Sequence, residues 1–252
     1  MKNLIALSLV LACALSASAQ KIDQNKKPSE KDKTVATTNA AVSKTATPME
    51  LAKAALAAYG GDKFKNMKTL VVTGTADVSG SPSMTFPAPF VMTYAGDKYR
   101  LEMNTPFVQF KQIYDGQQTY SSAGDVTLPP INRLGLPLLP KIEEKDFTVS
   151  ALPEAKKKKT GFRITSPEGY YTDFFIDEKT GLVKSYEASY EVGGRTITTA
   201  VEIDKLREVE GVKVPEKYSQ RFETNGLTVY ANFKAKDILV NSTVGDDVFV
   251  MK

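Results

Sequence analysis

The 252 residues carry 33 basic and 29 acidic side chains, no histidine, no tryptophan and a single cysteine. Without histidine, Ser-His-Asp and Cys-His catalysis and nearly all zinc and haem sites fall away, so the composition points away from the commonest enzymes. The formal charge of +4 is concentrated in one short region, which leaves the rest too evenly charged for nucleic-acid binding.

In chain order, residues 1–19 read as a signal peptide. Lys2 is the charged start, Leu4 to Leu15 form the apolar stretch, and Ala17-Ser18-Ala19 is a small-x-small cleavage site before Gln20. The expected address is the periplasm of a Gram-negative envelope. A second reading stays open: Val10-Leu11-Ala12-Cys13 is a loose lipobox, and cleavage there leaves the protein lipid-anchored through Cys13. Residues 20–46 hold six lysines against Asp23, Glu30 and Asp32, with no aromatic residue. Such a stretch cannot bury enough apolar surface to fold, so it reads as a disordered basic tether. It serves as a spacer or as a contact to an envelope or membrane partner.

The folded domain is expected over 47–252, where basic and acidic residues balance. It opens on TPMELAKAALAAYGG. Thr47 as cap, Pro48 at the first helical position and Glu50 as the third residue of a capping box predict a helix. Met49, Ala52, Leu56 and Tyr59 share one face, and Gly60-Gly61 supply the stop. Asp62 is expected to cap a further short turn carrying Phe64 and Met67.

The period then changes to two. Strands are expected at 70–79, 84–95, 98–104, 106–114, 117–122, 147–152, 162–166, 170–176, 182–192, 195–206, 212–222 and 227–240. Turn sequences such as Ala95-Gly96-Asp97, Gly193-Gly194 and Asn225-Gly226 separate them. This is the pattern of one antiparallel meander of mainly β class. In 84–94 the even positions Met84, Phe86, Ala88, Phe90, Met92 and Tyr94 are apolar or aromatic, and the next segment places Tyr99, Leu101 and Met103 on one face. Each strand thus has a greasy and a wet side. Pro87 and Pro89 cannot donate to a ladder, which places them at an edge or bulge.

Between these strands lies LPPINRLGLPLLPKIEE, residues 128–144, too broken for a long helix and too apolar for an ordinary loop. It reads as one or two short helical turns interrupted by prolines and laid as a lid over the concave side of a curled sheet. The methionines soften the apolar face opposite it, as suits promiscuous binding. The candidate hydrophobic ligand site is therefore Met84, Phe86, Phe90, Met92, Tyr94, Tyr99, Leu101 and Met103 under Leu134, Leu136, Leu138 and Leu139, with Arg133 and Lys141 at its ends for a headgroup.

The layout resembles the lipoprotein-localisation family of the Gram-negative envelope, the LolA/LolB-like carriers. The likeness rests on the helix ending LAAYGG, the strand KTLVVTGTADV, the interrupted apolar insert, GVKVPEKY at 211–218 and the closing VNSTVGDDVFVMK. It implies an incomplete, half β-barrel of about eleven strands whose concave face is covered by helices and holds acyl chains.

The remaining chemistry is sparse. Glu143-Glu144, Glu208 with Glu210, and Asp246-Asp247 read as solvated loop carboxylates, and Lys156–Lys159 as a solvated hairpin tip. No cofactor and no metal is called for. The expectation is a non-enzymatic, monomeric periplasmic carrier of lipid acyl chains or of a lipoprotein. The alternative is an envelope protein-interaction module with a filled core and no ligand.

Overall fold

A computed structural model describes residues 46–81, 84–106, 109–122, 131–192, 195–224 and 227–250. The signal-peptide, Cys13 and tether readings, the first residues of the apolar insert and two of the hairpin turns lie outside them.

Helix α1 (Pro48–Ala58) starts as the capping box requires: Glu50 N–H donates to Thr47 Oγ1 at 3.3 Å, and Thr47 N–H donates to Glu50 Oε2 at 2.7 Å. Its buried face is Leu51, Ala52, Ala55, Ala58 and Tyr59, turned away from the expected face through Met49 and Leu56. The reason is the partner surface. Small alanines let the helix axis come close to the sheet, while Leu56 stays at the margin. Gly60 and Gly61 end it, and Gly61 rather than Asp62 occupies the cap of α2 (Asp62–Lys65), which buries Phe64.

Twelve strands form one antiparallel sheet: β1 (Thr69–Ser81), β2 (Met84–Ala95), β3 (Lys98–Asn104), β4 (Gln109–Tyr114), β5 (Thr119–Ser121), β6 (Thr148–Ala151), β7 (Gly161–Thr165), β8 (Tyr171–Ile176), β9 (Val183–Val192), β10 (Arg195–Val209), β11 (Val212–Thr224) and β12 (Leu227–Val240). Their order, β5-β4-β3-β2-β1-β12-β11-β10-β9-β8-β7-β6, corrects the single meander. The first and last strands pair in the middle, Leu70 opposite Val240 and Val78 opposite Ala231. Two meanders are thereby joined at a central seam. Their free edges, β5 and β6, are consecutive in sequence, and residues 131–147 are the described part of the connection between these two edges of the unclosed sheet.

The seam also bends the sheet. The β1–β12 register shifts between Thr73 and Gly74, and extra residues of this kind tighten strand twist. A side chain at Gly74 would strike the Lys234 carbonyl and reach within 2.9 Å of both Ala235 Cα and the Phe90 ring, so only glycine lets the backbones approach there. The ladder between β2 and β3 begins at Phe90 opposite Met103, leaving Pro87 and Pro89 on a stretch of β2 that β3 does not cover.

Alternation sorts the faces. Phe162, Phe174 and Tyr186 are cross-strand neighbours on the inner side. Arg163, Asp173 and Glu187 are the neighbours between them on the outer side. Asp173 is fully buried there because Lys156 folds back over it. Arg163 grips the carboxylate with Nε at 2.6 Å and a second nitrogen at 2.9 Å, and Lys156 Nζ lies 2.8 Å from Asp173 and 2.5 Å from Glu187. Burial alone would raise the Asp173 pKa, but these cations outweigh it and hold the carboxyl below its usual range. The lysine tip expected to be merely solvated therefore fixes β7, β8 and β9 together through its first member.

A cavity under the crossover segment

The crossover folds into two 3-10 turns, Ile131–Arg133 and Leu136–Lys141. Prolines 137 and 140 set their φ angles but withhold N–H donors, which suits short turns and prevents a long helix. Gly135, between them, has φ +67°, and its N–H donates to the buried Thr172 hydroxyl at 3.0 Å. A Cβ at this position would lie 2.7–2.9 Å from the ring and hydroxyl of Tyr186. Glycine is needed for both the backbone angle and the close approach.

Ion pairs hold the segment at several points. Lys141 reaches Asp97, in the β2–β3 turn, at 2.5 Å. Asn132 donates to the Asp97 carbonyl. Glu143 takes Lys65 at 2.6 Å and Lys53 at 3.3 Å, and Arg133 lies 3.5 Å from Glu168. The hydrogen bond from Lys141 holds Asp97 below the ordinary carboxylate range, and Lys65 followed by Lys53 does the same to Glu143. Of the paired carboxylates noted in the sequence, Glu143 thus has an identifiable structural role. Among the described residues no cluster of acidic side chains is arranged to hold a metal ion.

Beneath the crossover is a cavity of about 1130 Å³. From the sheet it is lined by Leu70, Val72, Met92, Tyr94, Leu101, Met103 and Phe110 on one meander. The other contributes Tyr186, Tyr190, Ile197, Val201, Tyr218, Phe222 and Phe233. Phe64 of α2, with Tyr59 and Met67 from the turns beside the helices, closes one side, and Ile131, Leu134, Leu136 and Pro137 close it from above. The lining is mostly apolar, with Lys65, Asp97, Lys141, Glu143 and Lys213 among its charged members.

The sequence-selected positions divide. Met92, Tyr94, Leu101, Met103, Leu134, Leu136 and Lys141 line the cavity. Phe90 does not: it is buried edge-on against Phe233, centroids 5.2 Å apart. Met84 is 52 % exposed at the tip of β2, and Phe86 is half-buried beyond the cavity. Tyr99 is fully buried between Tyr94 and Tyr114. Leu138 and Leu139 are fully buried in the core that α1 shares with the second turn. Arg133 lies over the Phe147 ring, outside the lining.

Sequence reasoning did not single out Tyr186 and Tyr218, on β9 and β11. Tyr218 stacks on Phe233 at 4.5 Å, and Tyr186 packs against Phe174 at 5.8 Å. Both phenols are pushed to higher pKa, by burial above all, as is Tyr94; burial also lifts Tyr190 to about 12. These hydroxyls remain protonated donors at neutral pH. Continuing the inner-face parity of 84–94 into 182–192 would have found Tyr186, which alternates with Ala188 and Tyr190.

No family model matches the chain, and no curated protein matches it. Solved structures do. A LolA superfamily protein from Nitrosomonas europaea superposes with a TM-score of 0.51 at 11 % identity, covering 78 % of this chain and 97 % of that one. A domain named for outer-membrane lipoprotein sorting from Vibrio parahaemolyticus gives 0.47 at 10 % identity, covering 79 % and 95 %. A DUF1329 family protein from Desulfovibrio piger gives 0.46 at 9 %, covering 81 % and 95 %. The first of these carries the fold assignment: the chain has a LolA-like fold, an unclosed antiparallel half-barrel of twelve strands.

Proposed function

We propose that this protein is a non-enzymatic carrier that holds acyl chains, free or attached to a protein, between the concave sheet and the crossover. The observation that carries this reading is the cavity itself. Its 1130 Å³ lies just above the roughly 300–1,000 Å³ of ordinary small-molecule sites. Burial at about 0.8 kcal/mol per methylene gives a long chain useful affinity without specific polar chemistry. Met92, Leu101, Met103, Leu134 and Leu136 are the side chains assigned to the chain. Lys141 is the rim residue assigned to a headgroup, which it meets on leaving Asp97. The LolA-like fold and the exported look of the N-terminus favour a periplasmic setting, with the basic stretch before Thr47 reaching toward the envelope.

Native mass spectrometry of protein prepared without detergent tests this reading. Adduct masses that match lipids and are released on activation are expected. A clean apo mass, unchanged after incubation with phospholipid vesicles, would transfer the weight to the alternative, an interaction module without ligand.

A further inference from the structure

Three phenols meet in the cavity from strands that are far apart in the sheet. Tyr94 stands on β2, Tyr186 on β9 and Tyr218 on β11. On a flat sheet, five strand spacings of about 4.8 Å would put β2 and β9 roughly 24 Å apart. The curl instead brings Tyr94, Tyr186 and Tyr218 onto the wall of one cavity. Each is half-buried, and each borders the cavity.

Their hydroxyls are also unspent. Among the described residues, the contacts of these side chains are ring packing, Tyr94 on Tyr99, Tyr186 on Phe174 and Tyr218 on Phe233, and none of the three hydroxyls has a hydrogen-bond partner. Several other polar groups in the lining already have partners, although the buried Asn132 Oδ1 has none among the described residues. Gln220 donates to Thr199 at 2.9 Å, and Lys213 Nζ donates to the Ala58 carbonyl at 3.0 Å. Lys65 and Lys141 hold Glu143 and Asp97. The hydroxyls are not sealed off, and an apolar occupant that covers them without supplying an acceptor would leave them unpaired, so an occupant that brings one is favoured.

We propose that the cavity selects apolar chains bearing a neutral carbonyl oxygen, an ester in particular, and that Tyr94, Tyr186 and Tyr218 donate to it. The proposal rests on the carrier reading and adds a substrate class to it. A carboxylate is the poorer fit. The apolar surroundings that raise the tyrosine pKa values disfavour any negative charge among the phenols. A plain hydrocarbon fits the walls but leaves the donors unmatched.

The test offers the full chain an equimolar mixture of methyl hexadecanoate and octadecane, which have equal chain length. Bound material is then extracted and quantified by gas chromatography. In the triple variant Y94F/Y186F/Y218F, the bound ester-to-hydrocarbon ratio is expected to fall about tenfold, the scale of one or two lost buried hydrogen bonds. An unchanged ratio, with both compounds still bound, overturns the ester selectivity and leaves the carrier reading standing. Failure of the wild type to retain either compound overturns both. Should the triple variant not fold, the wild type loaded with carbonyl-13C ester decides the matter by infrared spectroscopy. A carbonyl band lowered relative to the same ester in alkane supports the phenol contacts, and a band at the alkane position refutes them.

Discussion

Leu134 and Leu136 lie two to five residues from Leu138 and Leu139, in the same apolar run, and Leu136 shares their core, yet only the first pair borders the cavity. The first pair faces the cavity. The second is wholly buried in the core with α1 and the inner faces of β7 and β8. A segment that looks like one greasy flap is thus a ceiling at Leu134 and Leu136 and a root at Leu138 and Leu139. An apolar run in a crossover can serve a binding site and the folding core together, and residue type alone does not say where one ends.

The largest expected effect separates the two halves directly. Leu138→Asp removes a fully buried side chain and buries an unpaired charge, which should cost at least about 4 kcal/mol and leave little folded protein. Leu134→Asp borders open space, so its carboxylate can be hydrated, and roughly half that loss is expected. Urea denaturation measures both. Equal losses would mean that the ceiling and the root are one unit.

Asp173→Ala comes next. It strips the carboxylate from Arg163 and Lys156 and leaves Glu187 alone beside the two cations, for a loss of about 3 kcal/mol by the same denaturation. The sign with pH follows from the lowered carboxyl. The pair stabilises the fold fully above the unfolded aspartate pKa of about 3.9, and that contribution disappears as pH falls through the lower folded value. The wild type should therefore lose stability below about pH 4 more steeply than the variant.

Gly135→Ala tests the joint between the halves. The positive φ and the Tyr186 ring together predict a loss of roughly 1–3 kcal/mol, visible as a lowered Tm. The smallest effect belongs to Asp97→Asn. Asp97 is exposed although Lys141 is not, so the pair contributes about 1 kcal/mol, and raising the salt concentration should shrink the difference from wild type further.

The strands were legible because their period and turns are local. The segment 84–95 was delimited as the structure has it, and the even positions 88 to 94 do face inward, since alternation and hairpin chemistry act over a few residues. The pairing of β1 with β12 was not legible, because nothing in Leu70 or Val240 encodes a contact across 170 residues. The same applies to the site. Met92 and Leu101 could be assigned to a face, but Tyr186 and Tyr218 join them only through the curl. Lys156 looked solvated because its partner, Asp173, lies 17 residues away. The clue was an acid in the middle of the apolar run YYTDFFI, which demands a buried cation.

Crystals grown with a methyl ester brominated near the chain terminus would place the cargo without inference. Anomalous scattering should put bromine inside the cavity beside Met92, Met103 and Tyr218, beneath Leu134. Bromine found only on the outer surface, or none bound while side chains fill the space, would contradict the account of the crossover as the ceiling of a lipid site.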